Sequence, residues 1–138
     1  MSDFINQMEP IFGEEEALAC YEYMKGNIWL TEYKKTKELE NMICKFIGCK
    51  YCHMMTNGTV SLSIALLALN IQKNDKVICP NLTMIGTPNS IKLIGAEPIL
   101  VDVDEKTLCL DINKIEDVLK SNKSVKCIIH VSLNGRCN

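Results

Sequence analysis

The sequence predicts an α/β fold, a mostly parallel sheet with flanking helices, and three observations carry that expectation. Helical and strand-like segments alternate in the order α-α-β-α-β-α-β-α-β, and the connections between them, about 2–6 residues, suit parallel α/β units. Two of the strand segments, 98–103 and 125–131, are apolar runs of the kind covered on both faces. A chain of 138 residues, 47% of them hydrophobic, can also build one domain with a core of its own.

The first helix starts at Glu14-Glu15-Glu16, where acidic side chains suit the positive end of the helix dipole, and stops at Gly26. Leu39, Met42, Ile43, Phe46 and Ile47 recur at helical spacing, with Lys and Glu between them and Gly48 after, and define a second, amphipathic helix. The period then changes. Residues 51–56 read as a short strand, Asn57-Gly58 as a turn, and 60–69 as a helix apolar almost all round, which should be buried on most of its circumference. Strands follow at 76–79, 98–103 and 125–131. A helix over 83–94, closed by Gly95, lies between the first two, and Pro88 predicts a kink or a late start in it. The last helix, 113–120, has Asp111 as a capping side chain. No internal repeat or low-complexity linker interrupts the chain.

Composition excludes several classes. Seventeen acidic against fifteen basic residues leave a net charge of −2, which does not favour nucleic acid as a partner. The longest apolar stretch, 64–69, is far short of the ~20 residues that span a bilayer. The first residues lack the basic-then-apolar form of a signal peptide, so the expected location is the cytoplasm, with no membrane partner. In that compartment eight cysteines read as reduced thiols. Cys20, Cys44, Cys79, Cys109 and Cys127 fall inside apolar periodic segments, where free cysteine behaves as a small hydrophobe.

The junction most suited to chemistry is Asn57-Gly58-Thr59 at a helix start. A glycine turn there exposes free backbone N–H groups at the positive end of the dipole, a setting for phosphate, and Thr59 adds a hydroxyl. The same turn also serves plain structural roles, and it matches neither the dinucleotide nor the Walker glycine pattern. Cys49-Lys50-Tyr51-Cys52-His53 spells a haem-attachment or half-zinc motif. No second pair completes a tetrahedral shell, and strand alternation would part Cys52 from His53, so no metal site is expected. Asp102 and Asp104 read as turn chemistry, and His130 as a core histidine of the last strand.

Taken together, the segments resemble the N-terminal part of the DegT-type (StrS-like) sugar aminotransferases, pyridoxal-phosphate (PLP) enzymes. The order of features carries the likeness. Glu9-Pro10-Ile11-Phe12-Gly13 before an acidic helix is similar to the family's opening, and Gly26-Asn27-Ile28-Trp29-Leu30-Thr31 to its G-x-W-L-T loop. Thr56-Asn57-Gly58-Thr59 stands where the family has its phosphate-binding turn, and the run from Cys79 and Pro80 to Gly86 and Thr87 resembles its P-x-[FL]-T-x-x-[AG]-T segment. Gly95-Ala96-Glu97-Pro98, then Val101-Asp102-Val103-Asp104 and Leu108 to Asp111, resemble G-A-x-P-x-x-V-D-V-D…L-x-L-D. The flavour is that of perosamine synthases, which aminate C4 of nucleotide-linked 4-keto-6-deoxy sugars.

The resemblance implies the large domain of the aspartate-aminotransferase-like, fold type I architecture, present in part. Residues 1–138 would be one truncated α/β domain, with N-terminal helices in 1–48 and a partial PLP-binding domain in 49–138. The strand at 51–56 would lie apart from the other three. Asn57, Gly58 and Thr59 would hold the PLP phosphate, and Met84 would take the ring-stacking position that is often aromatic. Trp29, Leu30 and Thr31 would lie near the nucleotide sugar, and glutamate would be the amino donor. The family's Schiff-base lysine, and the aspartate that pairs with the pyridinium nitrogen, have no counterpart here, so no catalytic residue is assigned. The chain would then act as a homodimer, with a complementing chain, or as an inactive remnant or split-gene product that binds phosphate or a partner.

Overall fold

The computed structural model describes residues 5–6, 8–26 and 34–137, which fall into two compact units, 1–54 and 55–138. Trp29, Leu30 and Thr31 lie outside the described residues.

The first unit holds α1 (Glu14–Lys25) and α2 (Lys34–Ile47). Glu16 receives the Gly13 N–H at 2.7 Å, half of a capping box whose other half a glycine cannot supply. Both helices form where the periodicity places them, yet their apolar stripes lie open, with Leu18 and Met24 of α1 exposed and Phe46 of α2 92% exposed. The buried residue of α2 is Glu40. Its carboxylate takes the Met54 N–H at 3.0 Å and the Lys37 ammonium at 3.0 Å, with His53 Nδ1 at 3.9 Å. The strand expected at 51–56 is not formed. Residues 51–55 join no ladder, and a carboxylate rather than a neighbouring strand takes the Met54 N–H.

The second unit is a three-stranded parallel sheet between helices. It comprises α3 (Gly58–Ala68), β1 (Lys76–Pro80), α4 (Gly86–Leu93), β2 (Glu97–Val101), α5 (Ile112–Ser121), β3 (Val125–Ile128) and a 3₁₀ turn at Leu133–Gly135. Strand order is β2-β1-β3, all parallel, with Ile78 opposite Ile99 on one side and Ile128 on the other. Alternation along β1 divides the core. Val77 and Cys79 join Leu66, Ile71, Ile91 and Ala96 in one cluster, and Ile78 joins Val101 and Leu110 in another that Ile115 and Val118 of α5 pack against.

Three expectations are corrected here. First, only β1 is covered on both faces. β2 and β3 are edge strands that leave Leu100 59% and Ile128 42% exposed, and an apolar run alone does not report which strand is central. Second, α3 is not buried all round: Ser63 and Leu66 are covered, while Ile64, Leu67 and the following Leu69 are exposed. Third, β3 stops at Ile128, so His130 is exposed rather than a core histidine. Cys79 and Cys109 are fully buried hydrophobes, whereas Cys20 is exposed.

The Pro88 expectation resolves as a late start. α4 begins at Gly86, which puts Pro88 in the first turn, where its missing N–H costs no helical bond. The hairpin between β2 and α5 had no counterpart in the sequence reading. Val103 bridges Leu110, and Asp104 closes the turn by accepting the N–H groups of Lys106 (2.9 Å) and Thr107 (2.8 Å). Asp111 caps α5 by accepting the Asn113 N–H at 2.8 Å.

Candidate functional site

The start of α3 is built to leave two donors free. Asn57 is the N-cap, with extended backbone, and its Oδ1 takes the Val60 N–H at 2.9 Å. Its carbonyl takes the Ser61 N–H at 3.1 Å. Of the three N–H groups between the cap and that first helical bond, those of Gly58 and Thr59 are therefore left without an acceptor among the described residues, at the positive end of the helix dipole. Asn57 and Gly58 are exposed, and a Cβ placed on Gly58 would meet nothing within 4 Å. The cradle is open, and it fits a phosphate monoester: two convergent N–H donors, a hydroxyl at Thr59 and room for an oxyanion to approach the backbone.

A second helix start is held against the first. Ser63 of α3 donates its hydroxyl to Ser90 O of α4 at 3.0 Å, also lying 3.1 Å from Thr59 O of its own helix. Ser90 in turn donates to Thr87 O at 2.7 Å, and Thr83 and Thr87 share a hydroxyl contact at 2.8 Å. These small side chains let the helices close until a Cβ on Gly86 would stand 2.7 Å from Thr59 Oγ1. Gly86 thus sets where the Thr59 hydroxyl can stand, a role that reading along the chain did not assign. The signal present in the sequence is a glycine two positions before Pro88, at a helix start.

Met84 is 80% exposed just ahead of this turn, and its carbonyl accepts the Thr87 N–H at 2.9 Å. Asn57, Gly58 and Thr59 thus share one helix start, with Thr59 against Gly86 and Met84 just ahead of Gly86 in the chain. A shallow cavity of about 280 Å³ beside Thr59 is lined by Asn89, Lys92 and Leu93 as well. A larger one, about 630 Å³, lies under the hairpin among Asp102, Asp104, Asp111 and Lys114. Its carboxylates are already engaged. The Asn81 amide and then the Val103 N–H hold Asp102 below the usual carboxylate range, and the N–H groups of Thr107 and Lys106 do the same for Asp104. Among the described residues no three His, Cys, Asp or Glu side chains are arranged to hold a metal.

The family model described as the DegT/DnrJ/EryC1/StrS aminotransferase family matches residues 10–138. The chain belongs to that family. An aminotransferase from Psychrobacter cryohalolentis is 33% identical, with a TM-score of 0.81 over 90% of this chain and 31% of its own. Spr1654 of Streptococcus pneumoniae, named as a sugar aminotransferase and solved in apo, PLP and PMP forms, is 27% identical in the apo form. That form has a TM-score of 0.88 over 97% of this chain and 33% of its own. A GDP-4-keto-6-deoxymannose-3-dehydratase, solved with a trapped PLP-glutamate geminal diamine, is 25% identical, with a TM-score of 0.81 over 94% and 34%. The chain thus spans about a third of the length of these solved members of the fold.

Proposed function

We propose that this chain carries the cofactor-phosphate cradle of a PLP-dependent aminotransferase that moves an amino group from glutamate to a nucleotide-linked 4-keto-6-deoxy sugar, as perosamine synthases do. The observation that carries the reading is the pair of unpartnered N–H groups of Gly58 and Thr59 at the start of α3, beside the Thr59 hydroxyl. PLP, when bound, supplies an electron sink for the carbon that carries the transferred amine.

The chain's own residues hold and orient that group. Gly58 and Thr59 donate to the phosphate, and the dipole of α3 favours its negative charge. Asn57 fixes the donor pattern by occupying the Val60 N–H. Met84 packs its thioether on the ring, a contact worth about 0.3–1.5 kcal/mol. Trp29, Leu30 and Thr31 lie near the sugar nucleotide in this reading, which also places the protein in the cytoplasm. The PLP and PMP forms of the Streptococcus protein and the GDP-linked keto sugar in the dehydratase's name support the cofactor and substrate class. Also within the proposal, no lysine of residues 1–138 takes the Schiff-base role, and the chain associates with a second copy or with another chain. The open apolar stripes of α1 and α2 support such an association.

The deciding titration uses pyridoxamine phosphate against pyridoxamine, since neither forms a Schiff base with stray lysines. The phosphate ester should bind at least about tenfold more tightly, inorganic phosphate should compete, and Thr59→Val should remove most of the difference, as losing a charge-assisted hydrogen bond does. Equal binding of the two compounds would refute the cradle. Borohydride treatment with PLP should leave no stoichiometric lysine adduct, and a single mapped adduct would refute the proposed absence of a Schiff-base lysine.

A further inference from the structure

The C-terminal turn of α2 brings two cysteines together in a way that spacing along the chain does not suggest. Gly48 closes the helix in the left-handed region, at φ +77°. It turns the chain back so that the N–H groups of both Gly48 (2.9 Å) and Cys49 (3.1 Å) donate to the carbonyl of Cys44. In this helix-closing motif, the side chain after the left-handed residue meets the one whose carbonyl it caps. Here both are thiols, on residues that the Cys49 N–H to Cys44 carbonyl bond holds together across the helix end. Cys49 is exposed and Cys44 half-buried, and Cys49 Sγ also lies 3.3 Å from Tyr51 O.

We propose that Cys44 and Cys49 form a reversible dithiol–disulfide pair, oxidised by exchange with a low-molecular-weight disulfide. The exposed Cys49 loses its proton and its thiolate attacks the small disulfide, forming a mixed disulfide and releasing one small thiolate. Cys44 sulfur then attacks the Cys49 sulfur. The Cys44–Cys49 bond forms, the mixed disulfide breaks, and a second small thiol leaves with the Cys44 proton. Two electrons pass from the protein sulfurs to the small disulfide, and two thiols are the product. Cys49 is the exposed sulfur and Cys44 the half-buried one, and burial first, then the neighbouring Cys49 thiol, push the Cys44 thiol up, so Cys44 serves as the resolving sulfur and Cys49 as the attacking one.

The product is a covalent staple across the end of α2. It fixes the turn from which 49–54 departs, next to the anchor at Glu40 and Met54. The Cys49-x-x-Cys52 spacing points to a different pair, and the two readings separate cleanly. Trypsin cleavage after Lys45 and Lys50 puts Cys44, Cys49 and Cys52 on three different peptides.

The test oxidises the intact folded chain with glutathione disulfide, blocks remaining thiols and maps cross-linked peptides, with the same reaction in urea as reference. The 38–45 peptide should be joined to 46–50 in at least about tenfold excess over its proportion in urea, because folding already supplies the short separation a disulfide requires. A reducing dithiol should undo the link, and Cys52→Ser should keep it, a check that does not depend on how Cys44→Ser folds. A dominant link from Cys49 to Cys52, a lasting mixed disulfide on Cys49, or the same distribution with and without urea would each overturn the proposal.

Discussion

Replacing Gly86 by alanine should weaken phosphate-ester binding without a comparable loss of stability. The added Cβ would stand 2.7 Å from Thr59 Oγ1 but 3.8 Å from Thr59 Cβ, so only the hydroxyl arm must move. Turning a threonine off its preferred rotamer costs about 0.5–1.5 kcal/mol. Against that, exchanging glycine for alanine in a helix returns about 0.5–1 kcal/mol. The fold should therefore change by less than about 1 kcal/mol, a few degrees in Tm. Binding behaves differently. A hydroxyl moved away from a charged phosphate forfeits a hydrogen bond of about 1.5–3 kcal/mol, roughly a 10- to 150-fold loss in affinity for pyridoxamine phosphate. The assay is a titration paired with a melting curve. A double-mutant cycle with Thr59→Val should show the two losses overlapping rather than adding, because Gly86 acts through that one hydroxyl. Binding within about twofold of the parent, or additive losses in the cycle, would show that Gly86 does not set the Thr59 hydroxyl.

Three further outcomes are expected. Gly58→Ala meets nothing within 4 Å, so thermal unfolding should show equal or slightly higher stability, up to about 1 kcal/mol; phosphate-ester binding should nevertheless fall as the methyl crowds the open backbone. The Met54 N–H first, then Lys37, hold Glu40 below the usual carboxylate range. A depressed folded value means its contribution is whole above the ordinary glutamate value and disappears as pH falls through the folded one, so the Met54 amide should lose protection, measured against its intrinsic exchange rate at each pH, on acidification, and Glu40→Gln should flatten that dependence. Asp111→Ala should cost about 1 kcal/mol in denaturant unfolding through loss of the α5 cap.

What could be read from the sequence follows from the range of the interactions involved. Helix ends marked by local chemistry came through, as at Gly26, Gly48, Gly95 and Asp111, because a cap is decided within a few residues. The Asn57-Gly58-Thr59 turn was legible for the same reason, as a place where donors are free. Strand 51–56 was not. The change of period after the second helix suggested it, but a strand exists only where a ladder meets it, and Met54 donates to Glu40 instead. The apolarity of α3 likewise gave no information on how much of it would be covered, and the composition of β2 and β3 did not show that they are edges. Gly86 needed three dimensions: its partner, Thr59, lies 27 residues away, the same separation as the Ser63–Ser90 bond that draws the two helices together.

The central place of β1 has a kinetic consequence. Its backbone is engaged on both edges, so its amide protons should be among the slowest in the chain to exchange with solvent, leaving only through opening of the whole sheet. The partners should not arrive together. The loop from β1 to β3 is roughly two and a half times as long as that from β1 to β2, which adds about 0.8 kcal/mol to its closure. The β1-α4-β2 crossover should therefore assemble first and β3 add afterwards, with the amides of Val125 to Ile128 gaining protection last in a pulse-labelling experiment.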